Sequence, residues 1–149
     1  MTSVDDMLNG ILCDHRIDAA LAVHTGVIRA YEFAYNTHTF DFEKDIGRFV
    51  APDITIVSDG KLGPRSLLSE LSHARAEYVC NTNSKVVMDF HTTCVADLDT
   101  AIVLVAEGDF TFVYPDRTEY ALRLTASSTL RAVDGTWVFQ HVHLGKGSL

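Results

Sequence analysis

The sequence predicts an α+β fold in which helices come first and strands follow. Three observations carry this prediction. The first half of the chain repeats apolar residues at helical spacing, the second half contains four β-rich runs, and the pair Asp134-Gly135 joins the last two of these runs. Runs of helices followed by runs of strands are typical of α+β folds, and Asp-Gly between two strands is a strong hairpin signal.

The apolar residues of the first predicted helix recur at helical spacing from Met7 to Tyr35. Ser3 with Asp6 resembles a capping box at its start. Gly26 lowers helix propensity in the middle of this segment, so the sequence leaves open a break at that position.

A short helix and a strand are predicted next. Asp41 can cap a helix that runs to about Phe49. Residues 54–58 are mostly β-branched, which favours a strand, and Asp59-Gly60 ends it as a turn.

A third helix and four strands complete the prediction. Pro64 suits the first position of a helix that runs to about Tyr78. The predicted strands cover residues 85–96, 100–113, 119–133 and 136–144.

The length and charge of the chain restrict the classes of function. With 149 residues, the chain fits one domain, residues 1–149, which can bury a core without disulfides or metal. The formal net charge is −8 and the basic residues form no stripe. This pattern argues against a nucleic-acid or anionic-membrane partner, because phosphates are bound by clustered Lys and Arg.

The cysteines and the N-terminus predict a cytoplasmic protein, and we predict no cofactor. Cys13, Cys80 and Cys94 form no C-x-x-C pair, and an odd number of cysteines without such a pair favours reduced, buried thiols. The acidic start of the chain does not fit a signal peptide, and no apolar run reaches the roughly 20 residues of a membrane span.

The Asp134-Gly135 turn predicts the register of the last two strands. If the turn has two residues, Leu130 faces Phe139 and Ser128 faces His141. One face of the hairpin is then apolar and aromatic, and we expect it to point inward. That face carries Leu122, Leu124, Ala126, Ser128, Leu130, Trp137, Phe139, His141 and His143.

The opposite face of the same hairpin predicts a homodimer. It carries Thr125, Ser127, Thr129, Val138, Gln140 and Val142 among its members. Such a face has little charge, and a stable interface buries roughly 1,200–2,000 Å² in total. We therefore expect a second copy of the chain to cover it.

The ending of the chain resembles that of the nuclear transport factor 2-like superfamily. Residues 134–143 are similar to the D-G-x-W-x-x-x-H-x-H ending of SnoaL-like domains and of the association domain of calcium/calmodulin-dependent kinase. The order of predicted elements and the segment Phe49 to Thr55 also resemble this superfamily. The resemblance implies a cone-shaped, cystatin-like fold, in which a curved, mostly antiparallel sheet wraps the helices around a cavity. It also implies dimers or larger rings, but no single activity.

Two histidines on the predicted inner face are the first candidate site residues. His141 and His143 are two residues apart on a strand, so both side chains would enter the cavity. Neutral imidazoles suit acid–base chemistry near about pH 7. An H-x-H pair can also bind zinc with a third ligand from His91 or Cys94. Histidines that bond to neighbours such as Ser128 are the commoner arrangement, and we predict no metal.

Asp59 is the candidate general base, and we pair it with His141. Within the superfamily that the chain resembles, SnoaL-type cyclases and ketosteroid isomerases use a carboxylate base in the cavity, but no residue of this sequence matches their motif. The position of Asp59 before Gly60 also fits an ordinary turn residue.

The facing of three charged or titratable residues depends on strand parity. Asp89 and His91 alternate with apolar neighbours, so they should point away from the core. Glu107 precedes Gly108, and a bulge there would reverse its facing. The pattern therefore leaves the facing of Glu107 open.

Aromatic residues complete the predicted ligand-binding set. Tyr31 and Tyr35 lie one helical turn apart and are expected in the core and cavity wall, where a phenol adds a polar group. The predicted set is Tyr31, Tyr35, Ser128, Trp137, Phe139, His141 and His143.

Three functions remain open at this point. We favour a homodimeric domain that binds a small organic ligand in a mostly apolar cavity. The first alternative is a cyclase, isomerase or dehydratase that uses His141 with Asp59, and the second is an association module. An enzyme should present a titratable pair across the cavity, whereas an association module should have a filled cavity.

Overall fold

A computed structural model describes residues 4–146 of the chain, with side chains from His15 onward. It confirms the α+β prediction. The elements are helix α1 (Val4–Thr37), helix α2 (Phe42–Asp45), a 3₁₀ turn (Gly47–Phe49), strands β1 (Val50–Ser58) and β2 (Lys61–Gly63), helix α3 (Arg65–Thr82), and strands β3 (Lys85–Asp97), β4 (Ile102–Val113), β5 (Glu119–Val133) and β6 (Thr136–Lys146). Among the described helices, none is long and apolar enough to cross a membrane.

Helix α1 continues through Gly26 without a break. Gly26 is exposed, and a Cβ at this position would meet open space, so nothing in the packing opposes the helix there. The helix buries a stripe at the predicted spacing, with Ala20, Val27 and Ala34 among its members. Ser3 of the predicted capping box lies outside the described residues.

The short helix α2 begins as predicted. The Asp41 side chain accepts a hydrogen bond from the Lys44 backbone N–H at 3.1 Å, which satisfies one of the free donors at the helix start. Helix α3 begins at Arg65, so Pro64 occupies the N-cap position instead of the first helical position.

The six strands form one curved sheet in the order β2-β1-β6-β5-β4-β3. β1 pairs in parallel with β6, and every other described pair is antiparallel. The short strand β2 was not predicted; it pairs with β1 across the Asp59-Gly60 turn. Helices α1 and α3 pack against one face of the sheet, which is the inner face.

Strand β4 alternates regularly between the inner and outer faces along its whole length. Gly108 lies opposite Phe90 without a bulge, and a Cβ on it would collide with the Asp89 carbonyl. The bulge instead lies in β3 at Thr93. Glu107 therefore points outward with the regular parity of β4.

The β5–β6 hairpin follows the predicted register only near its turn. Leu130 pairs with Phe139 as predicted, but Thr129 pairs with His141, so Gln140 is an extra residue in β6. One extra residue reverses the facing of everything beyond it.

The bulge lies beside an irregular part of β1, the neighbour of β6. Pro52 has no N–H to donate to the ladder, and the β1–β6 register shifts between Val50 and Thr55. Gln140 Nε2 donates to the Asp53 backbone carbonyl at 3.2 Å. The extra residue of β6 is thus held against the irregular part of β1.

The cysteine prediction is wrong in one respect. Cys80 and Cys94 are free thiols, but both are exposed instead of buried. The side chain of Cys13 lies outside the described residues.

Candidate ligand-binding site

The inner face of the sheet and the facing sides of α1 and α3 form a pocket of about 220 Å³, hereafter the inner pocket. Its walls are mostly apolar and include Met88, Phe110 and Leu144. Its polar lining residues are His24, Tyr31, Tyr35, Ser58, Asp59, Ser72 and Arg75. An adjoining pocket of about 130 Å³ shares His24 and Tyr31 with it and extends along β5 and β6.

Two tyrosines and a serine form a hydrogen-bonded group at one side of the inner pocket. The Tyr31 hydroxyl lies 2.9 Å from Ser72 Oγ, and Ser72 Oγ donates to the Leu68 carbonyl at 2.7 Å. Since the serine proton is used in that bond, Tyr31 must donate to Ser72. The Tyr35 hydroxyl donates to the Ser72 carbonyl at 3.3 Å.

Both phenols therefore keep their protons at neutral pH. Burial raises the pKa of Tyr31 to about 12 and raises the pKa of Tyr35 further. Helical spacing brings the two rings together on α1, with centroids 5.5 Å apart. The two tyrosines therefore form part of the pocket wall, and their hydroxyl protons are already used in hydrogen bonds to Ser72.

His24 is the polar residue on the buried stripe of α1. Its side chain is only 8% exposed, and its ring packs against Phe139 with centroids 6.1 Å apart. Burial lowers the pKa of His24 below its ordinary value, so the imidazole is neutral at about pH 7. In the part of the chain that the structure describes, no group hydrogen-bonds this ring, which leaves one donor and one acceptor for the pocket.

Arg75 lies one turn beyond Ser72 on α3 and also lines the inner pocket. Its guanidinium carbon is 4.7 Å from the centroid of the Phe110 ring. Its positive charge acts on the phenols of Tyr31 and Tyr35, where it opposes the rise in their pKa values. The guanidinium is thus placed beside the two tyrosines.

A third pocket, of about 330 Å³, opens at the surface between the end of α1 and α3. His38, His73 and Cys80 are among its lining residues, and no described strand residue is. It therefore does not reach the inner face of the sheet, where the buried imidazole lies. The inner pocket is the better candidate site.

No protein-family model matches the chain, and no curated protein matches it in sequence. Solved structures do match. A proposed dehydratase of the NTF2-like family from Streptomyces avermitilis superposes with a TM-score of 0.70 at 13% identity, covering 91% of this chain and 99% of that one. An NTF2-like protein of unknown function in nutrient uptake from Rhodospirillum rubrum gives 0.59 at 17% identity, with coverage of 82% and 96%.

A third similar structure is a proposed calcium/calmodulin dependent protein kinase II association domain from Xanthomonas campestris. Its TM-score is 0.55 at 17% identity, and the match covers 85% of this chain and 84% of that one. The protein has the nuclear transport factor 2-like fold. Identities this low establish the fold alone, because the fold hosts many functions.

Within this nuclear transport factor 2-like fold, several predicted site residues do meet at the pockets. Tyr31 and Tyr35 line the inner pocket, and Ser128 and Phe139 line the adjoining one. Trp137 is buried in the core beside them and lines neither pocket.

Asp59 lies at the rim of the inner pocket, in the turn between β1 and β2. It is exposed and has a positive φ of 51°, followed by Gly60 with a φ of 75°. Both observations fit a two-residue hairpin turn.

The predicted inward facing of His141 and His143 is wrong. The Gln140 bulge turns both imidazoles to the outer face, where His141 Nδ1 lies 2.6 Å from Thr55 Oγ1. Val142, predicted to face outward, lines the adjoining pocket instead. Ser128 pairs with Val142, so the predicted contact between Ser128 and His141 does not form.

The predicted pair of Asp59 with His141 is wrong for the same reason, since only Asp59 reaches the inner pocket. The titratable groups that do line it are His24, Tyr31, Tyr35, Asp59 and Arg75. Sequence analysis missed His24, although its position four residues after Ala20 and seven before Tyr31 places it on the apolar stripe.

The outer face of β3, β4 and β5 carries a cluster of charges. Asp89 and His91 are exposed there, as predicted. Glu107 Oε1 lies 3.6 Å from His91 Nε2 and 3.7 Å from Arg123 Nη2. Among the side chains that the structure describes, from His15 to Lys146, no group of three or more His, Cys, Asp or Glu is placed to bind a metal.

Proposed function

We propose that this protein is a single-domain, cytoplasmic ligand-binding protein that forms a homodimer and holds a small, mostly apolar organic molecule in the inner pocket. The observation that carries the proposal is the pocket itself. It combines apolar walls with a few polar side chains that converge from α1 and α3, which is the usual composition of a small-molecule site. An unfilled pocket favours ligand binding over a pure association module.

A matched pair of variants tests the pocket. Ala126 lines both the inner and the adjoining pocket, so Ala126→Phe should fill the space between the helices and the sheet. Ala121 lies on the same strand but is exposed, and it pairs with outward-facing Thr111. Ala121→Phe is therefore the control for the same change in size.

We expect aromatic and alicyclic compounds from a small-molecule library to raise the melting temperature of the wild type and of Ala121→Phe. Ala126→Phe should lose this response, since the ring occupies the binding volume. Binding that survives in Ala126→Phe would place the site elsewhere and would overturn the proposal.

A second candidate function is an enzyme of the isomerase or dehydratase class, and His24 is the observation that favours it. A neutral, buried imidazole in a pocket can take or give a proton at about pH 7. The similar Streptomyces avermitilis structure described as a proposed dehydratase points in the same direction. Dehydration or isomerisation of hydroxy and keto compounds, followed by proton NMR, should then depend on His24.

His24→Asn keeps a polar group of similar shape and removes the titratable nitrogen. If the protein is an enzyme, this variant should bind ligand but show no turnover. If wild type turns over no compound that it binds, the enzyme alternative fails and ligand binding remains.

The outer sheet face supports the homodimer. Neighbouring outward positions on β4, β5 and β6 bear no Asp, Glu, Lys or Arg and are only partly buried: Val103, Val105, Ser127, Thr129 and His141. A second copy would cover this patch and bury roughly 1,200–2,000 Å² in total. Two residues predicted on this face do not contribute to the patch, because Val142 faces a pocket and Val138 is buried in the core.

Light scattering on the 16.5 kDa chain tests the dimer. We expect twice the monomer mass for the wild type and the monomer mass for Ser127→Arg, which places a charge at the centre of the patch. A monomer mass for the wild type at micromolar concentration would contradict the proposal.

A further inference from the structure

Arg75 differs from the other described arginines of the fold in its surroundings. Five arginines form salt bridges with acidic side chains, and these are Arg16, Arg29, Arg65, Arg123 and Arg131. Arg48 is exposed over Phe49, and Arg117 is exposed in a turn. Arg75 is the one that lines the inner pocket, where it stacks on Phe110.

The described residues offer Arg75 no carboxylate. Asp59 is the acidic residue among those that line the pocket. It is exposed at the rim and forms no salt bridge with Arg75 within the described part of the chain. Arg75 is half-buried, and its guanidinium has no acidic partner among the described residues.

The two tyrosines do not replace such a partner. Their protons are used in the bonds to Ser72, so they can turn only oxygen lone pairs toward Arg75 and can offer a ligand no donor. The guanidinium has five N–H donors in a fixed plane. Among the described residues, no hydrogen bond of Arg75 is found, and its guanidinium lines the pocket, so these donors can serve a molecule that binds there.

A planar, two-pronged donor set is complementary to a carboxylate. Arg and a carboxylate form two parallel, charge-assisted hydrogen bonds. The Phe110 ring under the guanidinium restricts its orientation. Near it, Met88, Leu124 and Leu144 present apolar surface to the rest of a ligand.

We propose that the inner pocket selects small organic acids, whose carboxylate binds Arg75 and whose apolar part lies against the inner face of the sheet. The proposal rests on the proposed ligand-binding function and names its ligand class. His24, neutral and without a described partner, supplies the second polar contact for such a molecule.

Isothermal titration calorimetry on the full chain tests the proposal with two acid–amide pairs, 2-naphthoate with 2-naphthamide and trans-cinnamate with cinnamamide. The members of a pair have nearly the same shape, and only the acid is charged. We expect the acid to bind wild type roughly tenfold or more tightly than its amide. Ala126→Phe should abolish the binding of both members.

Arg75→Met keeps an apolar stem over Phe110 and removes the guanidinium. We expect it to lose the preference for the acid and to bind the amide as wild type does. Arg48→Met is the control, because it changes the net charge equally at an exposed position outside the pocket. Circular dichroism confirms that both variants are folded.

The outcomes separate this proposal from the one on which it rests. Equal binding of acid and amide, unchanged in Arg75→Met, overturns the carboxylate proposal and leaves the ligand pocket standing. Equal losses in Arg75→Met and Arg48→Met overturn the assignment to Arg75, since overall charge then explains the effect. Absence of binding by both acids at millimolar concentration, while library compounds still bind wild type and not Ala126→Phe, also overturns the carboxylate proposal and leaves the ligand pocket standing.

Discussion

Replacing Trp137 by alanine tests whether the last strand anchors the fold as the structure describes. The Trp137 side chain is 9% exposed and belongs to the larger buried cluster. A buried tryptophan removes roughly 150–250 Å² from water, which at roughly 25 cal/mol per Å² corresponds to about 4–6 kcal/mol. Measured losses for Phe or Trp to Ala in cores are about 3–5 kcal/mol, so we expect that range for Trp137→Ala.

The neighbour of Trp137 adds a smaller contribution. The Arg16 guanidinium carbon lies 5.5 Å from the indole centroid, and Arg16 also forms a salt bridge with Asp97 at 3.1 Å. The indole thus helps to hold α1 against the end of β3. A stacked cation at a partly exposed site contributes about 0.5–1 kcal/mol, which places the expected total loss near the upper end of the range.

Urea unfolding followed by circular dichroism measures this loss without relying on the fluorescence of the only tryptophan. Protein concentration must be held constant, because the stability of the proposed dimer would depend on it. Phe33→Ala is the control, since Phe33 is 70% exposed and its removal should cost little. A free energy of unfolding within about 1 kcal/mol of wild type for Trp137→Ala would refute the packing described here.

Two further predictions use other parts of the fold. Gly108→Ala should lower the free energy of unfolding by more than about 2 kcal/mol, because its Cβ would collide with the Asp89 carbonyl. Gly26→Ala should raise the free energy of unfolding by up to about 1 kcal/mol, because a Cβ at Gly26 meets open space. If urea unfolding shows a similar effect for both changes, the β3–β4 geometry described here is wrong. The pKa of His24 is lowered by burial from 6.5, so the unfolded chain binds the proton first as pH falls. The free energy of unfolding should therefore decrease below about pH 6.5, and less so in His24→Gln, as measured by urea titration across this pH range.

The parts of the fold that sequence analysis predicted depend on local chemistry. Asp41 caps α2 through a bond to a residue three positions away, and the Asp134-Gly135 turn fixes the register of the strands next to it. The short strand β2 was missed because its three residues carry too little pattern to separate them from a turn.

The facing of the histidines could not be predicted because its cause is not local. Alternation along β6 is a sound rule until an extra residue enters the strand. That residue, Gln140, bonds to Asp53, which lies 87 positions earlier in the chain. No pattern within β6 indicates the bulge. The predicted register is therefore wrong beyond Gln140, and the predicted pairing of Asp59 with His141 is wrong for the same reason.

The chemistry of the inner pocket comes instead from the helices. An α-helix that packs on a sheet turns one stripe inward, and a polar residue on that stripe must face either the core or a cavity. His24 and Tyr31 are two helical turns apart on α1, while Ser72 and Arg75 are one turn apart on α3. The sheet contributes most of the apolar wall and the serine at the end of β1, and these two short stretches of helix contribute His24, Tyr31, Ser72 and Arg75. A polar residue at a stripe position is therefore the sequence feature that locates this site, and it would have ranked His24 above His141.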